Sequence, residues 1–129
     1  MKELGRHLLV ELYNCKPETL MDKEKVKNIL LRSTKAMGAT IKGEYTYKFP
    51  ASGGISSLII IAESHVSAHT WPEHGYAAVD IFTCGVSLDP WKAFNVILQE
   101  FNPRRYNVME IRRGLMDERS EADIKQEAL

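Results

Sequence analysis

Apolar positions along this chain change their spacing several times, and each change marks an element. Over residues 3–14, Leu8, Leu9, Val10 and Leu12 form a dense run that predicts a first strand. Over 18–37 the spacing widens to three and four. Val26, Ile29, Leu30, Ser33, Ala36 and Met37 share one face there, with Lys23, Glu24, Lys27 and Arg32 turned away from it. This is a helix, and Gly38 suits the left-handed position that ends one. Residues 39–49 alternate, with Ile41, Tyr45, Tyr47 and Phe49 on one face and Lys42, Glu44, Thr46 and Lys48 on the other, as in an amphipathic strand. Pro50, Ser52, Gly53 and Gly54 turn the chain into a strand over 55–62, whose Leu58-Ile59-Ile60-Ile61 run is buried. Gly75 through Cys84 form a further strand, with Ala77, Val79, Ile81 and Thr83 on one side and Tyr76, Ala78, Asp80, Phe82 and Cys84 on the other. Asp89-Pro90 is a strong helix start, followed by a stripe of Trp91, Phe94, Leu98 and Phe101 and closed by Asn102-Pro103. A last strand spans 104–113, with either Tyr106 and Val108 or Met109 and Ile111 inward. Residues 115–129 hold five acids against two bases and read as a frayed helix or a disordered tail.

The predicted order is β-α-β-β-β-α-β. Short connections make the middle strands antiparallel, and both helices should lie on one face of the sheet. The fold class is therefore α+β: a two-layer α/β sandwich with a mainly antiparallel sheet. Its other face is left uncovered and carries the row Tyr45, Tyr47 and Phe49, which a second copy packed sheet to sheet would bury.

Bulk composition narrows the function more than the fold. At 129 residues, 44% hydrophobic and 26% charged, the chain suits one globular domain. Lys+Arg and Asp+Glu are both 17, so no charge excess draws it to nucleic acid or an anionic membrane. No apolar run reaches membrane-spanning length, and the first fifteen residues lack a signal-peptide core, so the expected location is the cytoplasm. Cys15 and Cys84 are too few for a disulfide framework. Cys15 reads as a small buried hydrophobe.

Chemistry concentrates in residues 62–73, AESHVSAHTWPE. The apolar run stops at Glu63-Ser64-His65, and within eleven residues come two carboxylates, three hydroxyls, two histidines, a tryptophan and a proline. Three readings are open on the residues alone. Ser64 is a nucleophile activated by a nearby histidine. Alternatively His65 and His69, with His74 nearby, ligate a metal, or the segment is an ordinary polar hairpin.

ESHVSAHTWPE at 63–73, GYAAVDIFTCG at 75–85, DPWKAF at 89–94, LGRHL at 4–8 and GATI at 38–41 together resemble the short prokaryotic, pyruvoyl-dependent S-adenosylmethionine decarboxylases. The likeness covers residues 1 to about 113. It implies a decarboxylase domain over 1–113, cleaved by itself between Glu63 and Ser64, with 114–129 a polar tail. In such a proenzyme Ser64 attacks the Glu63 carbonyl, the resulting ester eliminates, and residue 64 becomes a covalent pyruvoyl group. By resemblance His69 is the proton acceptor in processing and Ser56 steadies the oxyanion. The pyruvoyl group forms a Schiff base with substrate, and Cys84 is the proton donor after CO₂ leaves. Phe49 and Glu73 are the expected substrate contacts, to adenine and ribose. The implied product is decarboxylated S-adenosylmethionine, the aminopropyl donor for spermidine synthesis, and the implied assembly is a homodimer of processed protomers. The metal reading recedes, and His65 keeps no assigned role.

Two points stay open in the sequence. Ser64, His69 and Cys84 do not select among amino acids, so arginine or ornithine is the alternative substrate. In an extended strand the five residues from Ser64 to His69 span roughly 16 Å, so either the chain folds back or His69 serves a neighbouring subunit.

Overall fold

Lys2–Tyr13 forms β1, longer than its apolar run, with Leu8, Val10 and Leu12 buried on one side. The structure is a computed structural model that describes residues 2–117. Where the sequence predicts one helix over 18–37 there are two, α1 (Pro17–Leu20) and α2 (Lys23–Ala36). Asp22 separates them: its backbone is extended (φ −90°, ψ 102°) and its side chain accepts from the Lys25 N–H at 3.1 Å, capping α2. Val26, Ile29, Leu30 and Ser33 are buried as expected, but Thr34 takes the place given to Ala36, which is exposed.

Ile41–Lys48 forms β2 and Ile55–Ile61 forms β3. A register shift between Ile41 and Gly43 separates Ile41 from the aromatic row it was predicted to join. Ile41 pairs with Ile61 and packs on the core, while Tyr45 and Tyr47 pair with Leu58 and Ser56 on the opposite face. The larger difference is an extra strand. Ser64–Trp71 is β4, so among the described residues the sheet has six strands rather than five. Its polar residues hid it: Val66, Ala68 and Thr70 face the core, and His65, Ser67 and His69 face away. A 3-10 turn at Pro72–His74 leads into β5 (Tyr76–Cys84), whose Ala77, Val79, Ile81 and Thr83 are buried as predicted. Then follow α3 (Pro90–Phe101), capped by Asp89, and β6 (Arg105–Met116). In α3 the buried residues are Pro90, Ala93, Phe94, Ile97 and Phe101, with Trp91 and Leu98 only partly covered. In β6 the inward phase is that of Val108. Because β6 runs to Met116, a boundary after 113 falls inside a strand; residues 118–129 of the expected tail lie outside the described ones.

The strand order is β2-β3-β4-β5-β1-β6, every neighbour antiparallel. Both α2 and α3 pack on one face and close the core against Leu8, Val10, Ile55, Ile59, Val66 and Ile81. Arg32 Nε donates to Glu100 at 2.8 Å between the helices. Thr70 Oγ1 donates to the Leu20 carbonyl (2.8 Å) and accepts from the Ile55 N–H (2.9 Å), tying α1 to the ends of β3 and β4. Among the described residues the opposite face has no helix. It exposes Tyr45 (67%), Ile60 (48%) and Met109 (60%), more apolar surface than a sheet facing water needs.

Candidate active site

Every residue singled out in the sequence lies on the uncovered face of the sheet or at its ends, in two groups. The first surrounds the β3–β4 hairpin. Ile61 pairs with Ser64, leaving Ala62 and Glu63 as a two-residue loop, and such loops require positive φ. Glu63 supplies it at φ 65°, a conformation that costs a residue bearing a Cβ roughly 1 kcal/mol. The Ala62 N–H, bonded to the Thr40 carbonyl at 3.1 Å, anchors the loop. Ser64 donates its hydroxyl to the carbonyl of Phe82 on β5. Two residues further on, the Cys84 thiol donates to the carbonyl oxygen of Glu63 at 3.1 Å. The Ser64 hydroxyl, the Glu63 carbonyl and the Cys84 thiol are thus gathered within one hairpin and the strand beside it.

The second group lies toward the other end. Ser56 and His69 are register partners on β3 and β4, and Ser56 Oγ is 2.8 Å from His69 Nδ1. With Tyr45, Leu58, His65 and Ser67 they line a cleft of about 210 Å³. That is smaller than the ~300 Å³ at which pockets for drug-sized ligands begin. Beyond it, Phe49 lies edge-on to Tyr47 at 5.0 Å, its N–H held by the Gly54 carbonyl at 2.8 Å. Glu73 sits in the 3-10 turn and lines a separate polar cleft with Lys16, His74 and Arg104.

The chain does not fold back between the two groups. β4 is continuous from Ser64 to Trp71, so His69 stays roughly 16 Å from Ser64 of the same chain. The same extension works against the metal reading. His65 and His69 are roughly 13 Å apart along the strand, and among the described residues no three of His, Cys, Asp and Glu converge. Cys15 is buried as expected, and burial pushes its thiol up to about 11.

One cluster on this face was not anticipated. His7, His65 and Arg113 surround the ring of Phe82, and Asp80 pairs with His7. Asp80, Phe82 and Cys84 were legible as one face of β5; that β1 and β6 would bring His7 and Arg113 beside them was not. Burial holds the His65 imidazole below its ordinary value. Asp80 opposes that shift, while His7 and Arg113 add to it.

Comparison with known proteins bears on what this arrangement is for. The sequence model described as S-adenosylmethionine decarboxylase matches residues 6–114. The S-adenosylmethionine decarboxylase proenzyme of Clostridium kluyveri is 44% identical over 118 residues, covering 92% of this chain and 93% of that protein. The proenzyme of Thermodesulfovibrio yellowstonii is 46% identical over 121 residues, 94% of this chain and 89% of the relative. Among solved structures, the adenosylmethionine decarboxylase from Aquifex aeolicus superposes with a TM-score of 0.86 at 32% identity, covering 94% of this chain and 99% of that one.

Proposed function

Since this chain belongs to the S-adenosylmethionine decarboxylase family, we propose that it is a self-processing enzyme that decarboxylates S-adenosylmethionine, using a pyruvoyl group it makes by cleaving its own Glu63–Ser64 bond. The observation that carries the reading is the hairpin itself. A left-handed Glu63, a fixed Ser64 hydroxyl and a thiol on the Glu63 carbonyl are together what an acyl shift onto serine needs.

In the first step Ser64 Oγ adds to the Glu63 carbonyl carbon, the C–N bond breaks and the hydroxyl proton ends on the Ser64 nitrogen. Cys84 donates to the oxygen on which charge develops. A base then removes the Cα proton of residue 64, the Glu63 carboxylate departs with Oγ, and water converts the dehydroalanine to pyruvoyl with release of ammonia. That base is His69, steadied by Ser56. The new carbonyl would capture the substrate amine and hold the electron pair left by CO₂. Cys84, whose thiol lies 3.1 Å from the Glu63 carbonyl oxygen, would return a proton to the substrate Cα.

Ser56, His69, Phe49 and Glu73 lie too far along the strands to serve Ser64 of their own chain. A homodimer that packs the uncovered faces together resolves this. A twofold axis that reverses strand direction sets the hairpin end of one sheet against the far end of the other. Each site would then take Glu63, Ser64 and Cys84 from one protomer and His69, Ser56, Phe49 and Glu73 from its partner. The second sheet also deepens a cleft too small for a nucleoside. A stacking ring at Phe49 and a carboxylate at Glu73 suit an adenine and a ribose diol better than an arginine or ornithine chain.

Intact mass under denaturing conditions tests the processing. Wild type should yield chains of 63 and 66 residues, and Ser64→Ala should stay whole. Wild type that remains full-length on long incubation overturns the pyruvoyl reading. CO₂ release measured side by side from S-adenosylmethionine, arginine and ornithine should favour the first in kcat/KM; a preference for either amino acid overturns the substrate.

A further inference from the structure

We propose that Phe82 is a positioning residue for self-cleavage: its carbonyl sets the Ser64 hydroxyl for attack, and His7, His65, Arg113 and Gly5 act by clamping its ring. This rests on the processing reading above and goes beyond it, because none of the five belongs to that machinery.

The ring lies on the face that no helix among the described residues covers, yet it is confined on several sides. His7 stacks on it at 5.1 Å and 24°, His65 meets it edge-on at 5.8 Å, and the Arg113 guanidinium lies 4.6 Å from its centroid. Gly5 of β1 admits it only because it lacks a side chain: a Cβ there would stand 2.5 Å from Phe82 Cε1 and 2.7 Å from the Thr83 carbonyl oxygen. His7 is itself locked. Both ring nitrogens are engaged: Nδ1 lies 3.4 Å from Arg113 Nη1 and Nε2 lies 3.3 Å from Asp80 Oδ1. These contacts fix the end of β5 from its two neighbours, β4 and β1, and from β6 beyond β1.

That end grips both partners of the acyl shift. The Phe82 carbonyl takes the hydroxyl that attacks, and Cys84 donates to the carbonyl that is attacked. A serine hydroxyl has three staggered positions about χ1, and tying it to one acceptor selects among them. Misplacing a reacting group by about 1 Å costs on the order of a hundredfold in rate, so a loosened ring should slow the shift at least tenfold.

The test follows cleavage of full-length chains by intact mass over time, with and without hydroxylamine, which intercepts an ester but not an amide. Phe82→Leu should cleave at least tenfold more slowly than wild type, and hydroxylamine should not restore the yield because the ester does not form. His69→Ala, blocked after the shift, should instead be cut by hydroxylamine to a 1–63 hydroxamate and a chain beginning with serine. Folding is compared on uncleavable partners, Ser64→Ala with and without Phe82→Leu, whose Tm should agree within a few degrees. Should Phe82→Leu fold poorly, Arg113→Gln on the edge strand decides, with an expected severalfold slowing that hydroxylamine again does not relieve. Wild-type cleavage in the variant that folds, or slow cleavage that hydroxylamine rescues, overturns the inference. Failure of wild type to cleave at all would instead overturn the pyruvoyl reading.

Discussion

Two side chains show how much a strand position changes a residue's chemistry. Cys15 and Cys84 are both free thiols, but Cys15 is closed into the core and Cys84 ends β5 with its sulfur on the Glu63 carbonyl. Cys84→Ala should therefore act twice. Cleavage should slow through loss of one oxyanion donor, and kcat of the processed fraction should fall by roughly 10² to 10⁴, the worth of a positioned acid, as measured by CO₂ release. Unchanged kcat would remove Cys84 from the chemistry. His65 makes a prediction about stability. Its folded value lies below its unfolded one, so it costs nothing above about pH 6.5, and stability is lost as pH falls through that value and the imidazole must charge beside His7 and Arg113. On a Ser64→Ala background, Tm should drop more steeply between about pH 7 and 5 with His65 present than in His65→Gln. Parallel curves would mean that His65 titrates freely.

At the level of elements, the helical layer is built by ordinary local rules and can be tested by them. Asp22 caps α2 through the Lys25 N–H. Asp22→Ala should cost about 1 kcal/mol, or roughly 4 °C in Tm, with cleavage rate and CO₂ release unchanged. A loss of cleavage in that variant would couple the helical face to the site. The β3–β4 hairpin obeys different priorities. A two-residue turn would be served by glycine at Glu63, yet a residue with a Cβ holds the left-handed position and its carbonyl is the one proposed for attack. Strain there sits where the chain is expected to break.

Across the whole molecule, the decisive feature is the length of β4. It keeps His69 away from Ser64 of the same chain, and the apolar uncovered face asks for a second sheet. Complementation measures this. Ser64→Ala and His69→Ala expressed separately should each stay unprocessed. Co-expressed, the proposed mixed dimers would hold one complete site, in which the His69→Ala chain should be cut. No cleavage in mixed dimers isolated with two different tags would place both groups in one protomer.

Periodicity alone specified the two-layer class, the helical face of the sheet and five of its strands, because burial against helices leaves a regular trace. Glu63, Ser64, His69 and Cys84 were legible as candidates, because the motifs around them carried a specific family likeness. What stayed hidden depended on register. β4 was masked because its outward positions are polar and its inward ones small. Ile41 left the aromatic row through a bulge at Gly43, a glycine inside the strand that the reading by alternation passed over. The clamp on Phe82 required knowing that β1 lies between β5 and β6, a pairing between residues up to about a hundred positions apart. A sequence shows which residues share a face of their own strand; only the assembled sheet decides which strands stand beside it, and so which side chains meet.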